Sequence, residues 1–312
     1  MDKPKVVFMG TPAFALPALE ALHNHAMPVI AVITQPDRPS GRGQKEIAPP
    51  VKHLAQKLGL PVLQPQKVKD PEFLDTLGPM EPDLIVVAAF GQILPKTIID
   101  LPSLGCLNIH PSVLPRYRGA APLNWTLIRG DQLTGVTIML MDEGMDSGDI
   151  LMQQETPVGP DETYGELHDR LARLGAELLI QTIDEVVAGR AKRISQDPAL
   201  VTFAPRLTRE TSRIVWNAPA SDIVNLIRGL SPAPAAWTRL DGKTLKIYRA
   251  LFQPAPPDAE PGTVLAANRE GIAVAGADAA VLLTDIQLEG KKRMPAADFL
   301  RGYPVQEGDR LE

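Results

Sequence analysis

With 312 residues, 44% of them hydrophobic and 22% charged, the chain has the composition of an ordinary folded protein and the length for two cores. A formal net charge of −5 argues against coating nucleic acid through a global field, so any RNA contact must use local patches. The single cysteine, Cys106, excludes an internal disulfide, and five histidines beside it leave little material for a closed zinc site.

The opening MDKPKVVFMG has neither a secretory nor a transit pattern, and no apolar run approaches bilayer length, so a cytoplasmic protein is expected. Residues 5–9, 29–34, 83–89, 106–110 and 136–141 are strand-sized apolar runs separated by helical or loop stretches. Residues 17–23 and 50–58 read as helices opened by proline in the first turn. His23 and His25, two apart, do not share a helical face, so no metal is expected there. Alternation of this kind predicts an α/β domain over 1–189, a doubly wound, mostly parallel, Rossmann-like sheet.

Thr163 and Glu166 stand as a capping box ahead of Leu167, Leu171, Leu174 and Leu178 at helical spacing, with Gly189 as the stop. Residues 190–211, polar and irregular with Pro198 and Pro205, read as a linker. The remainder, 212–312, opens with a short helix over 222–228 capped by Ser221. Strand-sized runs at 245–251, 263–267, 272–275 and 281–288 then predict a smaller C-terminal β-barrel of OB-like type, with 254–261 a proline-biased loop.

Chemistry concentrates at two strand ends. In Leu107-Asn108-Ile109-His110-Pro111-Ser112, alternation puts Asn108 and His110 on one face, and Pro111 should end the strand, leaving His110 at its carboxyl edge. Open α/β sheets bind ligands at that edge. Beyond the 136–141 strand, residues 142–149 form a glycine-permitted loop with four carboxylates, without the spacing of a calcium loop. If the two ends converge, a carboxylate from this loop can hold His110 in one tautomer, and Asn108 and His110 can donate to the oxyanion of an acyl transfer. Cys106, four residues before His110, is too distant in an extended strand to be activated by it, and Ser112 lacks the Gly-x-Ser-x-Gly elbow of a hydrolase.

Further signatures accompany these residues. Phe90-Gly91-Gln92-Ile93-Leu94-Pro95, the run from Asn108 to Pro122, residues 142–148, Gly10-Thr11-Pro12-Ala13-Phe14 and the loop 34–43 together resemble the folate-dependent formyltransferases over nearly the whole chain. The resemblance implies Asn108, His110 and Asp146 as the catalytic set, no metal, and 10-formyltetrahydrofolate as formyl donor. It further implies a folate pocket built from Phe90, Gly91, Ile93, Leu94, Ser112, Val113, Leu114, Pro115 and Asp142, in which backbone groups bond the pterin ring.

The acceptor rests on other residues. The loop 34–46, with Arg38, Arg42 and Lys45, is similar to an insertion that touches tRNA in family members acting on methionyl initiator tRNA. On that resemblance Arg42 reaches the acceptor end, Phe14 lines the methionyl space, and Arg206 and Arg209 occupy linker positions usually held by lysine. A monomer acting on that tRNA is the expectation. An N-formyltransferase for an amino sugar nucleotide is the alternative within the same chemistry, and the basic loop speaks against it. A dinucleotide-binding oxidoreductase is the alternative of another class, which Gly10-Thr11-Pro12 disfavours because it is not Gly-x-Gly-x-x-Gly.

Overall fold

In the computed structural model, which describes residues 3–40, 45–254 and 259–312, the apolar runs of the first half become strands of one seven-stranded sheet. These are β1 (Val6–Gly10), β2 (Val29–Ile33), β3 (Val62–Leu63), β4 (Leu84–Ala88), β5 (Cys106–His110), β6 (Leu133–Leu140) and β7 (Ile150–Pro157). Their order is β7-β6-β5-β4-β1-β2-β3. Strands β3, β2, β1, β4 and β5 run parallel, and β6 is antiparallel to β5. Because β2 lies on one side of β1 and β4 on the other, the chain reverses direction across the sheet between β1 and β4, which opens a crevice at their carboxyl ends.

Strand alternation sorts the side chains between two covered faces. Val7, Met9, Ile85, Val87 and Cys106 join one cluster with Phe73 and Leu77 of α3 (Pro71–Leu77) and with Ile98 and Ile99 of α4 (Lys96–Ile99). Ile109 points the other way, onto α6 (Tyr164–Val187), where a Cβ on Gly175 would stand 2.8 Å from its side chain. Asn108 and His110 therefore share the face of Cys106, away from α6. Helices α1 (Leu16–Asn24) and α2 (Pro50–Lys57) start at Leu16 and Pro50, each with proline in its first turn, close to the expected spans. Short strands at Arg38–Ser40 and Lys45–Ile47, together with α3, α4, β3 and β7, had no clear periodic signal.

By contact density the chain divides into a unit of 1–119, 134–156 and 168–203 and a second of 120–133, 157–167 and 204–312. The expected break was a linker at 190–211. Residues 194–203 instead belong to the first unit: Ile150 and Ile194 exchange two backbone hydrogen bonds, and Arg118 N–H donates to Thr202 O. Helix α5 (Pro122–Ile128) falls in the second unit, where the Asn124 amide donates to Gly229 O.

The second unit carries a six-stranded antiparallel sheet with β8 (Ala236–Leu240), β9 (Lys243–Gln253), β10 (Val264–Asn268), β11 (Gly271–Ala275), β12 (Ala280–Leu288) and β13 (Met294–Pro295). The path is β8-β9-β12-β11-β10, with β13 on β12. Ile223, Ile227 and Leu230 of α7 (Ala220–Leu230) share its core with Leu245, Ile247, Val281 and Leu283, and Phe299 of α8 (Ala296–Leu300) joins them. Ser221 is not the cap expected. It lies inside the helix, and Asp278 from the turn before β12 accepts the Ala220 N–H at 2.8 Å, a long-range cap that local sequence does not reveal. Residues 255–258, within the expected proline-biased loop, lie outside the described residues.

The capping box of α6 is formed as read. Thr163 N–H donates to Glu166 Oε2 at 2.8 Å, Glu166 N–H reaches Thr163 Oγ1 at 3.4 Å, and Gly189 closes the other end at φ +68. The Thr163 N–H, then its hydroxyl, hold the Glu166 carboxyl below the usual carboxylate range. A depressed folded pKa contributes stability above the unfolded value of about 4.3 and loses it as pH falls further. Glu166→Ala should lower stability by about 0.3–1 kcal/mol at pH 7, since the half-exposed carboxyl is screened by solvent. Denaturant melts should show that gap narrowing below pH 4.

Candidate active site

Asn108 and His110 leave β5 on the face opposite Ile109, and the strand ends at His110 as Pro111 requires. His110 is 4% exposed and its ring is pinned. Nε2 lies 3.0 Å from Tyr117 O, and since a carbonyl only accepts, Nε2 carries the hydrogen. The other nitrogen, Nδ1, faces Asp146, with Oδ1 at 3.7 Å. Asp146 Oδ2 is taken by the Gly119 N–H at 2.7 Å, so only Oδ1 is turned to the imidazole. Among the described residues, no hydrogen bond is formed by the Asn108 side-chain amide.

The way residue 146 arrives differs from a meeting of two strand ends at one sheet edge. Because β6 is antiparallel to β5, the 141–149 loop leaves the sheet beside Cys106 and Leu107, with Met141 N–H on Cys106 O. It then doubles back to bring Asp146 to His110. Two features close this loop. Gly148 packs so tightly that a Cβ would stand 1.8 Å from Leu140 O, and Asp146 itself adopts φ +48. The four carboxylates diverge: Asp142 accepts from Gly144 N–H and the Ser147 hydroxyl, Glu143 pairs with Lys96 at 3.5 Å, and Asp149 accepts from Ser195 Oγ. Asp142, assigned to the folate pocket by resemblance, thus has its carboxylate engaged within its own loop.

The segment after β5 is braced from the neighbouring strands. Thr137 Oγ1 donates to Ser112 O at 2.7 Å and accepts from Leu114 N–H at 3.2 Å, while the Gln153 amide donates to Leu114 O at 3.0 Å. Ser112 is fully buried and its hydroxyl donates to Arg116 O, which leaves it unsuited to attack. Leu114 is buried, and Val113 and Pro115 are half-buried. Cys106 is core, as expected: its thiol contacts the carbonyls of Ile98 and Ile99, and burial pushes its pKa up to about 12.

The turn after β4 carries the remaining residues assigned to folate. Ala89 and Gly91 take φ +48 and +88, and a Cβ on Gly91 would meet nothing within 4 Å, so backbone there faces open space. Phe90 and Leu94 are buried in the core beneath, whereas Ile93 is 91% exposed, a large apolar side chain with no protein cover. Phe90 O accepts from Thr11 Oγ1 at 2.9 Å and from the Gln35 amide at 3.3 Å, which ties the ends of β1, β2 and β4 together. Against that knot lies a hollow of about 450 Å³ bordered by Thr11, Gln35, Arg38, Pro49, Phe90 and Gly91, at the crevice where the sheet order reverses.

Residues expected near tRNA are spread more widely. Arg38 is exposed at that hollow and donates to Gln35 Oε1 at 3.2 Å. Phe14 is 5% exposed and packs edge-on against His168, so it is a wall and not a free surface. Arg42, with Gly41 and Gly43, lies outside the described residues, and for Lys45 only the backbone is described, paired with Ser40. In the second unit Arg206 is exposed and Arg209 lies over the Trp237 ring at 5.3 Å. Among the described residues there is no metal-holding cluster and no helix long and apolar enough to cross a membrane.

Sequence reasoning did not find Tyr117, Gly119, Thr137, Gln153 or Gln196. The first two act through backbone, where side-chain identity carries no signal. Thr137, fully buried in the apolar run 136–141, was the one detectable sign, a polar residue placed where a strand has no solvent to meet it.

Comparison with known proteins assigns this architecture. A formyl transferase family model matches residues 4–183, and a model for the formyl transferase C-terminal domain matches 206–304. The chain is 54% identical over 311 residues to the methionyl-tRNA formyltransferase of Syntrophus aciditrophicus, covering 100% of both chains. It is 51% identical over 307 residues to that of Geobacter sulfurreducens, covering 98% of this chain and 96% of the relative. Among solved structures, HypX from Aquifex aeolicus in complex with tetrahydrofolic acid superposes with a TM-score of 0.65 at 18% identity, over all of this chain and 51% of that longer one. The chain therefore belongs to the folate-dependent formyl transferase family, within the methionyl-tRNA formyltransferases.

Proposed function

We propose that the chain transfers the formyl group of 10-formyltetrahydrofolate to the α-amine of methionyl initiator tRNA, and that Asn108, His110 and Asp146 carry the transfer. The observation behind this is the pinned imidazole: Nε2–H is spent on Tyr117 O, and Nδ1 faces a carboxylate at 3.7 Å. A free α-amine has a pKa of about 7.7–8.0, so much of it is already neutral near pH 7 and needs placement more than deprotonation. As the amine adds to the formyl carbon, negative charge grows on the formyl oxygen, and the unengaged Asn108 amide supplies a donor for it. The proton lost by the amine passes to Nδ1 of His110 or to Asp146 Oδ1, the two acceptors that face each other. As the oxyanion collapses, the bond from the formyl carbon to N10 breaks, and N10 takes up that proton as tetrahydrofolate leaves. An imidazolium formed at Nδ1 is held between the Tyr117 carbonyl and the Asp146 carboxylate.

The donor's pterin fits beside the braced 112–115 segment and the 90–94 turn, where exposed Ile93 and the open side of Gly91 offer an apolar cover and a close backbone approach. Since Leu114 already spends its N–H on Thr137, recognition by backbone falls to the remaining groups of that stretch. The hollow beside Arg38 suits the acceptor end of the tRNA, with Arg42 and Lys45 following the phosphates. Residues 212–312, with Arg206 and Arg209 ahead of them, form the tRNA-facing appendage of a cytoplasmic monomer. The amino sugar nucleotide alternative is not favoured, because full-length similarity of this degree lies with enzymes named for methionyl-tRNA.

Asn108→Ala should lower kcat by about 10²–10³-fold, the loss of one oxyanion donor, with the melting temperature unchanged. Steady-state formylation of charged initiator tRNA checks this, and near-normal turnover removes Asn108 from the mechanism. Arg42→Ala should raise KM for charged tRNA and flatten its dependence on log salt by about one unit, leaving donor KM unaltered. Unchanged tRNA kinetics would contradict the loop assignment.

A further inference from the structure

Besides the Asp142 bonds within it, the loop carrying Asp146 is held by bonds from outside. Gln196, in the stretch between α6 and the second unit, donates through Nε2 to Asp146 O at 2.9 Å and to Gly148 O at 2.8 Å. Its Oε1 accepts from Arg118 Nε at 3.0 Å and Nη2 at 2.8 Å, so one amide group bridges two loop carbonyls and one guanidinium. Gly119, the next residue after Arg118, donates its N–H to the Asp146 carboxylate at 2.7 Å. The short strand Arg118–Gly119 thus grips residue 146 twice, directly at the side chain and through Gln196 at the main chain.

The grip falls on a residue at φ +48, in the left-handed region, where the bonds to the Asp146 side chain and main chain hold its carboxylate toward His110. The segment bearing Gln196 is itself anchored to β7: Ile194 exchanges two backbone bonds with Ile150, and Ser195 Oγ donates to Asp149. An amide is the side chain this position calls for. Glutamate has the reach but no N–H to give the carbonyls, and alanine supplies neither half of the bridge.

We propose that Gln196, oriented by Arg118, is a positioning residue for formyl transfer: it holds the Asp146 carboxylate against His110 Nδ1. It acts through residue 146 without touching substrate. The inference rests on Asp146 acting in the transfer.

Two variants of the full-length chain test it. Gln196→Glu keeps the size and the contact to Arg118 and removes both donors, and Gln196→Ala removes the whole bridge. A misplacement on the order of 1 Å can cost about 10²-fold, so each should lower kcat by about 10–100-fold with both KM values within about threefold. In an Asp146→Asn background, single-turnover rates should fall by less than about twofold when Gln196→Ala is added, because the residue through which Gln196 acts is already disabled. A kcat equal to wild type in Gln196→Glu overturns the proposal. So does a loss expressed only in KM, or one that multiplies in the double variant. Wild-type protein that fails to formylate charged tRNA in the same assay instead overturns the formyl-transfer reading on which this depends.

Discussion

One hydrogen, donated by His110 Nε2 to the carbonyl of Tyr117, decides what the rest of the site can do. With that nitrogen spent, Nδ1 is the face left to the imidazole, and the Asp146 carboxylate is the group the fold turns toward it. Strand alternation places the imidazole: residues 108 and 110 share a face because 109 is committed to the opposite side, under α6 at Gly175. The carboxylate comes from a loop that begins at the wrong end of β5 and folds back, held by close packing at Gly148 and by bonds from Arg118–Gly119 and Gln196. Electrostatic catalysis depends on such groups being fixed before the reaction, since reorientation during it would consume the stabilisation they offer.

The two candidate ligand regions follow from topology in the same way. Reversal of strand order between β1 and β4 leaves a crevice, and Thr11, Gln35 and Phe90 knot the three strand ends that border it. Polar contacts tie this knot, Arg38 and Gly91 border the crevice, and Ile93 stands exposed two residues beyond Gly91.

Much of this was legible before any coordinates, for identifiable reasons. Near-continuous apolar runs located five of the seven strands in the large sheet, since strands covered on both faces leave little room for polar residues. The capping box at Thr163 and Glu166 was readable because its bonds join residues three apart. Long-range polar links were not: Asp278 capping α7, Gln196 bridging to residues 118, 146 and 148, and Gln153 bracing Leu114 join positions whose spacing has no period. Residues 194–203 illustrate the cost. Their polar, proline-marked composition resembles a linker, yet they supply the brace of the Asp146 loop. At the site, two polar residues on one face of a buried strand marked Asn108 and His110, whereas picking Asp146 from four nearby carboxylates needed the family resemblance.

The central claim is that one formyl group sits among Asn108, His110 and Asp146. A crystal structure of the chain with a donor analogue, its N10 bearing an acyl group that cannot be transferred, tests it most directly. The account predicts the acyl oxygen within hydrogen-bond distance of the Asn108 amide, with the acyl carbon beside His110 Nδ1 and Asp146 Oδ1. An acyl group bound with its oxygen away from the Asn108 amide and its carbon away from His110 Nδ1 and Asp146 Oδ1 would contradict it.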